Sequence, residues 1–304
     1  MTAAVASRYL DLRALAALEH MRFATRHRIE GAYSGRHRSR QLGGAGEFVD
    51  FREYSSGEDL RRLDWKVLAR TGKAYVKLYQ DETNLLCTLA IDASGSMRFG
   101  ETNGRRRDSG SKLEYAQFLA TALSQVIVRG QDQVGVAVLG ATLDEFVPTG
   151  GTQGHAAHVQ SVIENIDTRP AAKMGAAVEE LFRRTERRGV LLLMSDFLAE
   201  DLETVFAGVR LFRHRRSEVV ILHLIHPEEE RLPEGAAFRF EGLEDDGRVD
   251  CSPHEIRAAY QERFEAHAGM VRTLSLANGC DYRRISTAVP YLQTLGEFLV
   301  ERRG

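Results

Sequence analysis

The chain has 304 residues, 43% of them hydrophobic, and a formal net charge of −2. That length suits one large domain, or a domain with a smaller companion. The near-neutral balance excludes a generally basic nucleic-acid binder and an acidic tail. Its three cysteines, Cys87, Cys251 and Cys280, form no C-x-x-C pair, which leaves neither a zinc ribbon nor a disulfide framework.

In chain order, residues 8–20 place Leu10, Leu12, Leu15 and Leu18 at helical spacing. Arg8, Asp11 and Arg13 interrupt the same stretch, so it has no signal-peptide core. The longest strongly apolar run, 190–194, is far short of a bilayer span. Both features point to a soluble, cytoplasmic protein. Residues 22–48 read as a loop-rich, locally basic stretch. Residues 48–54 and 74–79 read as short strands, with a helical turn over 59–70 that carries Trp65, the only tryptophan.

The pattern changes at residue 85. Apolar strands are expected at 85–91, 134–139, 190–194, 219–225 and 281–285, with a strand at 145–148 pairing beside the second. Helices are expected at 112–129, 155–166, 175–188, 202–212, 253–278 and 291–302. Residues 227–252 form a polar insertion in which Phe238 and Phe240 alternate like an edge strand. Continuous apolar strands alternating with helices define an α/β class, a doubly wound, mostly parallel sheet with helices on both faces. The expected organisation is an N-terminal extension with short strands over 1–84 and the sheet domain over 85–304.

Ligands of such folds bind at the carboxyl ends of the strands, where the strand order reverses. Asp92 and Asp196 both fall at such ends. Asp92-Ala93-Ser94-Gly95-Ser96 brings a carboxylate and two hydroxyls onto one turn, with Gly95 allowing a tight bend. Hard cations such as Mg²⁺ or Mn²⁺ take oxygen donors of this kind and keep some water. The bland alternative is an Asp/Ser turn that only hydrogen bonds its own backbone.

This D-x-S-G-S turn after an apolar strand, with Met194-Ser195-Asp196 later, resembles the metal-ion-dependent adhesion site of the von Willebrand factor A fold. The resemblance implies a cation held by Asp92, Ser94, Ser96 and Asp196, with one position open for an acidic residue of a partner. That family also uses a threonine before a later helix. Here Ala172 stands in its place and Lys173 follows. An ammonium 4 Å from a cation repels it by about 4 kcal/mol in a surface-like dielectric. Lys173 therefore either points away or pairs with Asp92 or Asp196 in the cation's stead; Thr168, Thr149 and Thr152 are the other hydroxyls within range in the sequence.

A second resemblance rests on residues 46–66, GEFVDFREYSSGEDLRRLDWK, followed by Ala69-Arg70-Thr71-Gly72. Asp92 to Ser96, Lys112-Leu113-Glu114-Tyr115-Ala116 and Asp132-Gln133-Val134-Gly135 continue it. It is similar to the bacterial family known as domain of unknown function number fifty-eight and covers roughly residues 22–303. The resemblance implies an adaptor for a MoxR-type AAA+ ATPase, in chaperone-like remodelling or metal insertion. Alternating charges with aromatics in this signature suit a structural ion-pair network or a partner surface, for which Arg52, Arg62 and Trp65, together with Lys173, are the candidates.

Three functions compete. The first is a non-enzymatic interaction module. The second is a Mg²⁺-dependent phosphohydrolase with Asp92 as nucleophile, although Ser94 stands where such enzymes carry a second carboxylate. The third is RNA binding through the basic stretch 22–40.

Overall fold

The computed structural model describes residues 8–9, 15–16, 18, 20–25, 37–38, 47–55, 63–80, 82–100, 110–169, 173–185, 187–199, 202–235, 238–244 and 247–302, the side chains of 37–38, 47–52, 77–80 and 82–83 excepted. The chain forms two compact units, residues 26–85 and residues 1–25 with 86–304. The stretch expected as one extension, 1–84, is thereby divided between them.

In the smaller unit, strand β1 (His37–Arg38) pairs antiparallel with β4 (Glu82–Thr83), and β2 (Glu47–Glu53) with β3 (Tyr75–Gln80). Helix α1 (Trp65–Thr71) lies between β2 and β3. Asp64 starts it, with Oδ1 accepting from the amides of Lys66 at 2.9 Å and Val67 at 3.1 Å. Gly72 ends it at φ 69°, a left-handed conformation that disfavours a side chain. The D-W-K and A-R-T-G motifs are therefore the two caps of one short helix.

In the larger unit the strands are β5 (Leu86–Asp92), β6 (Gln133–Leu139), β7 (Leu143–Gly150), β8 (Val190–Ser195), β9 (Glu218–Ile225) and β12 (Asp281–Ser286). The six lie in the order β12-β9-β8-β5-β6-β7. All neighbours run parallel except β6 and β7. The chain steps from β5 to one edge and returns at β8 on the other side, so the order reverses between β5 and β8.

Successive side chains of a strand point to opposite faces. Ala90, Leu191, Leu193, Val219 and Ile221 meet helices α4 (Met174–Arg184), α5 (Leu202–His214) and α7 (Pro253–Ala277) in one buried cluster with Phe197, Phe206 and Phe212. The alternate residues Leu89, Ile91, Leu192, Met194 and Val220, all buried, face the layer of α2 (Lys112–Arg129), α3 (Gln153–Glu164) and α8 (Tyr291–Glu301). Each fully buried Leu or Ile contributes about 1.5–3 kcal/mol by leaving water. Among the described residues of 1–25, Tyr9, Leu15, Leu18 and Phe23 are buried, and Arg129 donates to Leu18 O at 2.7 Å.

Several boundaries shift by a few residues: the helix expected at 155–166 spans Gln153–Glu164, and the strand expected at 145–148 spans Leu143–Gly150. Helix α4 stops at Arg184, where the Thr185 hydroxyl donates to Leu181 O at 2.8 Å and the backbone turns extended. In the polar insertion, a single helical turn α6 (Pro227–Glu230) precedes β10 (Phe238–Glu241), the strand in which Phe238 and Phe240 alternate, and β10 pairs with β11 (Arg248–Cys251) as a separate hairpin. No described helix is long and apolar enough to cross a membrane.

Candidate functional site

The site forms where β5 and β8 end side by side. Asp92 is the last residue of β5, and Asp196 follows β8 directly. Because β5 pairs with β8 through Ile91 and Met194, their carboxylates come to the same edge of the sheet. The chain then turns through Ser94 into a 3₁₀ turn, Gly95–Arg98. Asp92 Oδ1 accepts from the Ser94 amide at 2.8 Å, and the Ser94 and Ser96 hydroxyls lie 3.0 Å apart. Asp92 Oδ2 accepts from the Ser195 hydroxyl, which itself accepts from the Phe197 amide at 2.7 Å. Phe197 is buried at φ 56°, a strained conformation for an aromatic residue, held by the packing around the site.

The four expected metal-site residues are thus together, and all are buried. A lysine does face Asp196, but it is Lys112 rather than Lys173. Lys112 Nζ donates to Asp196 Oδ2 at 2.6 Å and to Glu229 Oε1, with its side chain wholly enclosed. Glu229 is fixed in turn by the His226 amide, which donates to its Oε2 at 2.9 Å. Lys173 reaches the same end of the sheet through its amide, which donates to Gly140 O at 3.1 Å. Its exposed side chain makes no hydrogen bond or ion pair among the described residues.

Ala172 and Arg62 lie outside the described residues, as does the side chain of Arg52; Trp65 is 60% exposed at the first turn of α1. Of the alternative hydroxyls, Thr149 and Thr152 flank Gly150, which pairs with Val134 at the start of β6. They therefore sit at the opposite end of the sheet from Asp92. Thr168 precedes Arg169, whose backbone bridges to Ser94 and donates to Ala93 O at 2.7 Å. His155 is occupied with Val134 O, at 2.8 Å.

Burial, followed by the charge of Asp196, pushes Asp92 up to about 7 against the bonds from Ser195 and Ser94. Burial acts on Asp196 in the same direction, but the Lys112 ammonium, the Leu198 amide and the Ser96 hydroxyl together hold it below the usual carboxylate range. Burial raises Glu229 despite Lys112. Lys112 remains charged because Asp196 and Glu229 outweigh its own burial.

Three buried carboxylates thus share one ammonium. Ionising all three leaves two negative charges, and among the described residues Asp92 is the group without a cation to bond it. A carboxylate with two adjacent hydroxyls and a second carboxylate behind them is the donor chemistry a hard divalent cation takes. Among the described residues no group of three or more His, Cys, Asp or Glu side chains is placed to hold a metal ion, so any cation here would rest on the hydroxyls of Ser94 and Ser96 beside the carboxylates.

Lys112 and Glu229 were not singled out from the sequence. Lys112 carries a readable signal, because it shares the apolar stripe of α2 with Ala116, Leu119 and Leu123. Glu229 closes a capping box with His226 on a helix of only four residues, a length that periodicity does not reveal.

The strand order, the antiparallel edge strand β7 and the paired strand ends define an α/β domain of the von Willebrand factor A class. Residues 50–269 match the family described as "Protein of unknown function DUF58", and the chain belongs to that family. Uncharacterised proteins of Mycobacterium tuberculosis and Mycobacterium bovis are 27% identical to it over 236 residues, covering 74% of this chain and 69% of theirs. Among solved structures, the conserved hypothetical protein BatB from Bacteroides thetaiotaomicron is similar at 16% identity with a TM-score of 0.45, covering 71% of this chain and 98% of that one. A von Willebrand factor type A protein from Catenulispora acidiphila is similar at 12% identity with a TM-score of 0.45, covering 86% of this chain and 52% of that one.

Proposed function

We propose that this chain is a non-enzymatic, cytoplasmic interaction module that captures an acidic side chain of a protein partner through a divalent cation, Mg²⁺ or Mn²⁺, and that the partner is a MoxR-type AAA+ ATPase engaged in chaperone-like remodelling or metal insertion. The observation that carries this reading is the convergence of Asp92, Ser94 and Ser96 on one buried turn, with Asp196 beside it and, among the described residues, only Lys112 to balance the carboxylates. Asp92, Ser94 and Ser96 would hold the cation, and Asp196 would back them. When bound, the cation supplies a positive centre for a partner's carboxylate.

Lys112 orients Asp196, and Ser195 orients Asp92. Lys173, exposed and without an ion pair among the described residues, adds a positive charge to which an acidic partner segment is drawn. The ATPase as partner follows from the family resemblance.

The hydrolase alternative makes Asp92 a nucleophile and needs a second carboxylate two residues on as acid and base, a position that Ser94 holds here. A phosphatase screen with Mg²⁺ separates the two readings. The module shows no turnover; turnover abolished by Asp92→Asn refutes the non-enzymatic reading. Calorimetric titration with Mn²⁺ tests the site itself: the wild type binds, and Asp92→Asn loses binding by more than about 100-fold.

A further inference from the structure

The insertion hairpin returns to the Asp92 turn. Its loop closes with the Gly242 amide donating to Gly247 O at 2.7 Å. Glu244 Oε1 there accepts from the Ser96 amide at 3.2 Å, across 148 residues of sequence. Beside it the loop backbone lies directly on Gly95. A Cβ at that glycine would meet Leu243 O at 2.5 Å and Glu244 Cγ at 2.9 Å, so no other residue admits the loop without a shift. Two neighbouring residues of the donor turn are thus covered by one segment, and that segment presents a carboxylate.

A carboxylate at this turn is the chemistry a partner would bring. The hairpin is lightly anchored. Its strands pair only with each other, and its ion pairs, Arg239 with Asp250 and Arg248 with Glu241, are solvent-exposed and contribute little. Leu243 remains 43% exposed. Resting on the cation reading above, we propose that Glu244 is an internal carboxylate occupying the partner's place at the Asp92–Ser96 turn, so that the hairpin is a strap an incoming acidic side chain must displace. A strap closed in about 90–99% of molecules lowers the apparent affinity for a partner by about 10- to 100-fold.

The test uses the full chain and Mn²⁺ alone, with calorimetry and hydrogen exchange on the wild type, Asp92→Asn and Glu244→Ala. Glu244→Ala is expected to bind Mn²⁺ about tenfold more weakly than the wild type, because one charged donor is gone. Mn²⁺ should slow exchange across residues 238–244 in the wild type and leave it unchanged in Glu244→Ala. If Asp92→Asn abolishes Mn²⁺ binding while Glu244→Ala matches the wild type in affinity and in its exchange response, the cation reading stands and the strap is wrong. If the wild type binds no Mn²⁺, both fall together.

Discussion

Replacing Lys112 with methionine removes the ammonium while keeping most of the volume. Lys112 is fully buried, and its partners Asp196 and Glu229 have side-chain exposures of 3% and 11%. Removing one member of a buried ion pair costs about 3–5 kcal/mol, because the charge left behind has neither water nor a counterion. For a unit of this size that lowers Tm by roughly 6–20 °C. Urea unfolding in excess EDTA at about pH 7.5 reads the loss directly. The triple variant K112M/D196N/E229Q, which removes the stranded charges as well, should recover most of it, since neutral replacement of a whole buried ionic cluster is often nearly neutral for stability. A loss below about 1 kcal/mol for Lys112→Met, or no recovery in the triple variant, refutes the assignment of Lys112 as the buried counterion.

Other outcomes follow from the same contacts. Asp92 is raised in the folded chain to about 7, so its stabilising contribution is complete below the unfolded carboxylate pKa near 4 and is lost as pH rises through 7. In excess EDTA, Asp92→Asn should therefore gain on the wild type between about pH 4 and 7, by up to about 4 kcal/mol, in urea unfolding at stepped pH; a constant difference contradicts this. Asp64→Ala removes the cap of α1 at a cost of about 1 kcal/mol, expected as a roughly fivefold faster hydrogen exchange in residues 65–71. Arg302 is buried against Glu218 and Asp281 and donates to Ala24 O at 2.7 Å. Arg302→Met should cost about 3–5 kcal/mol and open residues 20–25 to limited proteolysis.

The sheet is legible because its central strands are buried on both faces and read as apolar runs, unbroken in 190–194 and interrupted only by His223 in 219–225. Edge strand β7 is buried only at Leu143 and Val147, so its sequence marks only the central part, 145–148. The convergence of Asp92 and Asp196 followed from strand ends alone, since any two parallel neighbours align their carboxyl termini. Lys112 and Glu229 were harder to see, because 117 residues separate them and a lysine on an apolar helix face looks like an exception until its partners are known. Glu244 lay hidden for a related reason: a polar insertion gives no signal of where it lands, and only the missing Cβ of Gly95 marks the contact. Two ends of the F-R-E-Y signature resolve into helix caps at Asp64 and Gly72, a local role that turn chemistry explains without any partner.

Cation-dependent capture of an acidic partner at the Asp92 turn is tested most directly by association of the chain with a MoxR-type AAA+ ATPase, the proposed partner, measured by pull-down in Mg²⁺ and in EDTA. The expected result is retention in Mg²⁺, and release by EDTA and by Asp92→Ala or Ser94→Ala. Retention that is indifferent to EDTA and to both substitutions would contradict the claim that this face makes the contact.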